Sequence, residues 1–137
     1  MAFRVLLIGA FTTFTLAAGA PPAQAQDKKP YSVVDGKVDK GTYNGFRRYH
    51  ASCHVCHGPD GLGSSYAPSM VESLKVLDEV AFNEVVVNGR QNLGAGQEKV
   101  MPSFAAAADV IEYLADIYAY LKARSDGAIG RGRPERQ

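Results

Sequence analysis

Cys53 and Cys56 are the two cysteines of this 137-residue chain, and His57 directly follows the second. Two thiols three positions apart can each add to a vinyl group on one face of a porphyrin. The adjacent imidazole then falls where it can take an axial position on the iron. Cys-x-x-Cys-His is the attachment signature of a c-type haem. The sequence therefore predicts one covalently attached haem c, with His57 as an axial ligand of its iron.

Other uses of a Cys-x-x-Cys pair fit the chain less well. A structural zinc ion needs four ligands, and the sequence has no second cluster of cysteine or histidine outside residues 50–57. A dithiol oxidoreductase would be expected to have a βαβ pattern around the pair, and that pattern is absent. Haem attachment is favoured over both alternatives.

The second axial ligand must come from further along the chain, where no histidine remains. We favour Met101, which lies before Pro102 in a glycine-bearing segment, over Met70, which is more simply a residue of the core. His50 and His54 are not expected to be ligands. His50 enters from the side of His57 and is read as a packing or surface residue, and His54 is expected to face solvent.

Ligation by His57 and Met101 would give a six-coordinate iron with a raised reduction potential. That combination suits outer-sphere electron transfer, and the sequence contains no Ser/His/Asp set, phosphate loop or isolated carboxylate pair. We therefore predict an electron carrier and not an enzyme. Two alternatives stay open: a haem peroxidase or gas-binding protein with a labile distal ligand, and a docked cytochrome subunit of a larger dehydrogenase.

The first 25 residues have the composition of a secretory signal peptide. Arg4 is their only charge, an apolar run follows from Val5 to Ala20, and Ala23-Gln24-Ala25 has the form of a cleavage site. We expect cleavage after about Ala25, a periplasmic location and no membrane span afterwards. Loss of Arg4 would leave equal numbers of acidic and basic residues, which implies no nucleic-acid partner. The mature protein is expected to be a monomer.

The mature chain reads as an all-α domain over residues 41–125, between an extended segment at 26–40 and a loose basic tail at 126–137. A first helix is predicted from about Thr42, which can cap it, into the haem motif. A second is predicted at Glu79 to Asn88, with Asp78 near its start. Its buried candidates are Val80, Phe82, Val85 and Val86.

The last helix should begin near Asp109, where Glu112 completes a capping box. Its apolar stripe consists of Val110, Ile111, Leu114, Ile117, Tyr118 and Leu121. The glycine-bearing segments Gly58 to Met70 and Arg90 to Phe104 are predicted as loops, and no strand is convincing. Three or four helices would thus be joined by irregular loops around the haem.

The chain resembles the class I c-type cytochromes over about residues 41 to 124. The resemblance is carried by Cys53–His57, Gly58-Pro59-Asp60-Gly61, Asn88-Gly89-Arg90 and Val100-Met101-Pro102-Ser103-Phe104. It implies the cytochrome c fold, with Gly45 and Tyr49 packed where the first and last helices cross. Leu114 and Tyr118 would be their partners on the last helix.

The same resemblance implies roles for residues around the haem. The carbonyl of Pro68 would accept a hydrogen bond from His57 and set its tautomer. Asn88 and Arg90 would lie near a haem propionate. Met101 matches the sixth ligand of the family.

A narrower resemblance concerns partners. The stretch from Tyr113 to Arg124, continuing through Asp126-Gly127 to Pro134, looks like cytochromes that accompany quinoprotein methanol and alcohol dehydrogenases in bacteria. It implies that a dehydrogenase containing pyrroloquinoline quinone donates electrons in the periplasm, and that another cytochrome or a terminal oxidase accepts them.

Overall fold

The structure is a computed structural model that describes residues 28–94 and 97–137. Its helices are α1 (Lys40–Ser52), α2 (His54–His57), α3 (Met70–Ser73), α4 (Glu79–Asn88), α5 (Ala108–Ile111) and α6 (Leu114–Ser125). The signal peptide expected at residues 1–25 lies outside the described residues. Within the described ranges, no helix has the length and apolar character that crossing a bilayer requires.

Five short strands accompany the helices: β1 (Val33–Val34), β2 (Lys37–Val38), β3 (Arg90–Gly94), β4 (Gln97–Met101) and β5 (Glu135–Arg136). β2 pairs with β1 antiparallel and with β5 parallel, while β3 and β4 form an antiparallel pair. The expectation that Arg90 to Phe104 is a loop without strands was wrong. These strands are held by backbone pairing, and their largely polar sequence lacks the apolar alternation that marks a half-buried strand.

The core is organised by the crossing of α1 and α6. A Cβ placed on Gly45 would overlap the backbone carbonyl of Asp116, so glycine lets the two helices touch through their backbones. The implied partners on α6 differ in detail from those observed. Gly45 faces Asp116 and Ile117, and the ring of Tyr49 lies 5.7 Å from that of Tyr120. Tyr118 instead packs on Phe82, with ring centroids 5.4 Å apart.

Helix α1 begins at Lys40, ahead of the start predicted near Thr42, and its cap is Asp39 and not Thr42. The Oδ1 atom of Asp39 accepts the backbone N–H of Thr42 at 2.9 Å, and the Thr42 hydroxyl donates to Oδ2 at 2.6 Å. Both residue types favour the cap position, and here the carboxylate accepts from two donors of the first turn at once. Thr42 is fully buried as a result of this arrangement.

The prediction for α4 is confirmed at both ends. The Asp78 side chain accepts the Ala81 backbone N–H at 2.8 Å, and the helix runs from Glu79 to Asn88. Phe82 and Val86 are buried, as expected. Val80 is 67% exposed, so its assignment to the core was wrong. A ten-residue helix that packs along one side leaves such an apolar residue in solvent.

The C-terminal helix is divided, and its predicted capping box does not form. The cap position of α5 is Ala107, without a side-chain hydrogen bond, and Asp109 is largely exposed beside Arg48. α6 starts anew at Leu114. Ile111, placed in the apolar stripe by periodicity, is exposed because the turn between α5 and α6 changes the direction of the face.

The segment Gly58 to Met70 is less irregular than predicted. Pro59–Gly61 forms a 3-10 turn, and α3 begins at Met70 with the Ser69 side chain as its cap. The tail at 126–137 is not loose. Its strand β5 pairs with β2, and Arg133 hydrogen-bonds the hydroxyl of Tyr43. The tail therefore packs against the domain that carries the cysteine motif.

Candidate haem site

His57 ends α2 and is buried, with 7% of its surface exposed. Its Nδ1 atom lies 3.0 Å from the carbonyl oxygen of Pro68. A carbonyl oxygen can only accept, so Nδ1 carries the proton and Nε2 keeps its lone pair. The imidazole is thus oriented and left with one nitrogen available as a ligand.

The two cysteines lie on either side of the same short turn. Cys53 is half-buried, and its backbone N–H continues the α1 pattern by donating to the Tyr49 carbonyl at 2.8 Å. Burial, with a smaller contribution from the nearby Cys56, raises the pKa of the Cys53 thiol to about 11. Cys56 is exposed. One thiol therefore faces the interior of the domain and the other its surface.

An apolar cavity joins the predicted site residues. Its lining consists of Tyr49, Cys53, His57, Met70, Phe82, Val86, Met101, Phe104, Val110 and Leu121. Cys53, His57 and Met101 are thereby brought together. Cys56 and Pro68 lie outside the lining, although Pro68 contacts the His57 ring from behind.

Met101 is held by the segments on both sides of it. It ends β4, where it pairs with Arg90, and the backbone N–H of Phe104 donates to the Val86 carbonyl at 3.0 Å. Gly89 has a positive φ, and a Cβ there would come within 2.6 Å of the Met101 carbonyl. These contacts fix the Met101 backbone against the end of α4.

Met70 lines the same cavity, so bordering the cavity does not distinguish the two methionines as candidate ligands. They differ in the elements of the fold to which they belong. Met70 follows Pro68 by two residues, and its Cβ is 3.5 Å from a Cβ built on Gly61, in the turn after His57. Met70 thus lies with the elements that hold His57. Met101 approaches from a separate element, the β3–β4 pair.

Asn88 and Arg90 are exposed at the junction between α4 and β3. Neither lines the cavity. Within the described side chains, neither makes a hydrogen bond through its side chain to another residue. Their implied role toward a propionate stays a prediction.

The other two histidines form a stack outside the cavity. His50 Nδ1 lies 2.8 Å from the Phe46 carbonyl, and the His50 ring packs against Phe46 and Tyr120. His54 stacks on His50 with ring centroids 5.7 Å apart, and its Nδ1 atom is buried. His54 is therefore half-buried and does not face solvent as expected.

Comparison with known proteins finds relatives of one kind. The chain is 44% identical over 114 residues to cytochrome c-553I of Paracoccus denitrificans, covering 82% of this chain and 50% of that protein. It is 42% identical over 100 residues to cytochrome c-555 of Methylococcus capsulatus, covering 72% of this chain and 75% of that protein. The chain belongs to the class I c-type cytochromes.

A solved structure agrees with this membership. The crystal structure of the c-type cytochrome XoxG from Methylobacterium extorquens AM1 superimposes with a TM-score of 0.72 at 48% identity. The match covers 78% of this cytochrome and 66% of that chain. The chain thus spans half the length of cytochrome c-553I and just under two thirds of XoxG. No family model matches it.

The prediction of the cytochrome c fold with one covalently attached haem c is confirmed by this membership. The residues of this cytochrome fit that cofactor on their own geometry. A thiol, an imidazole with a free nitrogen and a thioether border one apolar cavity. Thiols bind the porphyrin covalently, and nitrogen and sulfur donors suit haem iron.

Sequence reasoning missed several residues that hold the site of this cytochrome in place. The Tyr49 hydroxyl donates to the Gly58 carbonyl at 2.6 Å, and the Ser103 hydroxyl donates to the Val87 carbonyl at 2.5 Å. Asp60 is buried in the turn after His57. The position of Tyr49, four residues before Cys53, was a signal for the first. Asp60 and Ser103 stand in motifs that carry the family resemblance, but nothing local in the sequence indicated these contacts.

Proposed function

We propose that this cytochrome is a periplasmic electron carrier whose iron is ligated by His57 and Met101. Haem c, when bound, supplies a one-electron couple between Fe(III) and Fe(II). The observation that carries the proposal is an apolar cavity that Cys53, His57 and Met101 border together. Two ligands from separate elements suit a centre that keeps the same coordination in both oxidation states.

The protein's own residues perform three tasks in this proposal. Phe82, Val86 and Leu121 are buried and exclude water from the cavity. The Pro68 carbonyl holds His57 in one orientation. A rigid, dry environment lowers the reorganisation that accompanies a change of charge. Met101 as the sixth ligand would leave no open position on the iron for oxygen or peroxide.

Electron exchange needs one edge of the cofactor near solvent. Cys56 is exposed, and the neighbouring Val55 and Tyr66 are 73% and 76% exposed. The side of the haem that Cys56 tethers would therefore lie at the surface. We place the exchange of electrons there, with Asn88 and Arg90 near a propionate on the side of α4 and β3.

For the partners, we propose a quinoprotein methanol or alcohol dehydrogenase as donor and another cytochrome or a terminal oxidase as acceptor. The support is the resemblance of residues 113–134 to cytochromes that accompany such dehydrogenases, together with the similarity to XoxG. Export directed by residues 1–25 would bring this cytochrome to the same compartment as the dehydrogenase. We propose that it acts there as a monomer.

Stopped-flow reduction tests the donor. Ferric cytochrome mixed with a purified quinoprotein methanol dehydrogenase and methanol should be reduced in a second-order reaction that slows as ionic strength rises. Omission of methanol is the matched control. Failure of the reduced dehydrogenase to transfer electrons, while small reductants still reduce the cytochrome, would rule out this donor and leave the carrier function standing.

A further inference from the structure

Asp60 is a carboxylate buried inside the turn that follows His57. It is 5% exposed, and its φ of +60° is in the left-handed region. The backbone N–H of Gly132 donates to Oδ1 at 2.9 Å, and Arg131 Nε approaches Oδ2 at 3.4 Å. Arg124 Nε donates to the Asp60 carbonyl at 3.3 Å. Every one of these donors belongs to the last fourteen residues of the chain.

Hydrogen bonds restrain the turn that holds Asp60 next to His57. The Gly63 N–H donates to the His57 carbonyl at 2.7 Å. The Tyr49 hydroxyl donates to the carbonyl of Gly58, the residue directly after His57. A contact that fixes Asp60 therefore also restrains the backbone that carries the axial ligand.

The charge of Asp60 also reaches the wall of the cavity. Burial is the larger cause of the raised pKa of Tyr120, and the field of Asp60 adds to it while that of Arg124 opposes it. Asp60 also adds to the raised pKa of Tyr49, after burial and the field of Cys53. Tyr49 is one of the residues that line the cavity.

Gly61, the residue after Asp60, packs against the cavity wall, since a Cβ built on it would lie 3.0 Å from Cδ2 of Leu121, which lines the cavity. A negative charge beside this apolar wall stabilises the more positive ferric state, and the buried guanidinium of Arg124 offsets part of that effect.

Arg131 offsets that charge from the outside. Its side chain is 70% exposed, whereas the side chain of Asp60 is 7% exposed. The field of Arg131 is therefore screened by solvent and salt, and that of Asp60 is screened much less. The pair is asymmetric, with a strong internal charge and a weaker external one.

We propose that Asp60 is a positioning residue that lowers the reduction potential of the haem, and that Arg131 in the C-terminal segment sets how much of that effect is felt. The inference rests on the proposed function as an electron carrier. The C-terminal segment, read from sequence as a loose tail, thus becomes a part of the redox site.

Equilibrium redox titration of the purified holoprotein tests the proposal with three variants. Asp60→Asn keeps an acceptor for the Gly132 N–H but removes the charge, and its potential should rise. Arg131→Gln removes the external charge, and its potential should fall by a smaller amount. Arg133→Gln is the matched control, because it removes one positive charge from the same segment. In the wild type, Arg133 contacts Tyr43 and not Asp60. The potential of Arg133→Gln should match that of the wild type.

The dependence on ionic strength distinguishes the two charges further. The fall in reduction potential of Arg131→Gln should shrink at high ionic strength, and the rise in reduction potential of Asp60→Asn should persist. A purely structural role would loosen the turn in both variants and move both potentials in the same direction. That result, or equal potentials for Arg131→Gln and Arg133→Gln, would overturn the proposal.

The test does not depend on every variant binding haem. If Asp60→Asn does not bind haem, the reduction potentials of Arg131→Gln and Arg133→Gln can still be compared with each other. Small-molecule mediators report the potential without any protein partner. Failure of the proposed dehydrogenase as donor would therefore leave this result unaffected, and the wild-type optical spectrum would report separately on Met101.

Discussion

The Nδ1 atom of His57 lies 3.0 Å from the carbonyl oxygen of Pro68, eleven residues further along the chain. This contact joins the end of α2 to the segment before α3. It leaves Nε2 as the nitrogen that can bind iron, and it orients the ring without adding a charge beside it. The rest of the site is built around this fixed imidazole.

Pro68→Ala should weaken that orientation while keeping the carbonyl. Alanine restores freedom to the unfolded chain, so we expect a loss of about 0.4–1 kcal/mol in the free energy of unfolding. The Nδ1–H proton of His57 should exchange faster with solvent, as measured by NMR of the ferrous protein. Pro59→Ala is the control, since Pro59 opens the turn after His57 without bonding the ring. Equal exchange in both variants would argue against the role of Pro68.

Met101→Ala should open the iron to external ligands. The thioether would be replaced by a methyl group, and carbon monoxide should bind the ferrous variant at neutral pH. Met70→Leu is the matched control, because leucine has a similar volume. It should lower the free energy of unfolding by less than about 1.5 kcal/mol and leave the iron unable to bind external ligands. Optical titration with carbon monoxide distinguishes the two. Binding in Met70→Leu but not in Met101→Ala would reverse the assignment of the ligand.

Gly45→Ala should destabilise the crossing of α1 and α6. The new Cβ would overlap the Asp116 backbone carbonyl, which cannot move aside as a side chain can. Overpacking of this kind costs about 1–3 kcal/mol, measured by chemical denaturation of the holoprotein. Gly41→Ala is the control on the same helix, because its Cβ meets chiefly the flexible Asp116 carboxylate. Equal stability of the two variants would show that the helices are not in backbone contact.

Asp39 should make stability depend on pH under acidic conditions. Burial raises the pKa of its carboxyl, but hydrogen bonds from the Thr42 hydroxyl and from the N–H groups of Thr42 and Ser32 outweigh burial and hold it below the ordinary 3.8. A lowered pKa in the folded state stabilises the fold above the unfolded value. That stability is lost as the pH falls through the folded value.

Asp39→Asn keeps a helix cap but removes the titrating group. Urea denaturation between about pH 5 and about pH 3 should therefore show a smaller loss of stability in the variant than in the wild type. At neutral pH the variant should be less stable by about 1 kcal/mol, the typical net contribution of one hydrogen bond. Ser32 and Thr42 donate their N–H groups to different oxygens of Asp39, and an amide has an acceptor oxygen at only one of those two positions. Parallel pH profiles for the two proteins would contradict the role of Asp39.

The sequence determined the parts of the site that depend on short spacings. The haem motif, the cap at Asp78 and the buried face of α4 all follow from residues within one or two turns of each other. The sequence also favoured Met101 over Met70 as the second ligand, and that assignment stays a prediction. Both methionines line the cavity, and only their elements separate them.

The sequence could not predict features that depend on distant pairing. β3 and β4 are polar and are formed by backbone hydrogen bonds, which leave no apolar period to detect. The contact of Asp60 with Gly132 spans 72 residues and depends on a backbone N–H, which every residue but proline possesses. The basic composition of the tail suggested solvent exposure, but its backbone pairs with β2.

The optical spectrum of the ferric wild-type holoprotein tests the central claim most directly. Ligation by His57 and Met101 predicts the near-infrared charge-transfer band of a methionine-ligated haem, and no change when carbon monoxide is added to the ferrous form at neutral pH. Absence of that band, together with binding of carbon monoxide by the wild type, would contradict the account and favour a haem protein with an open coordination site.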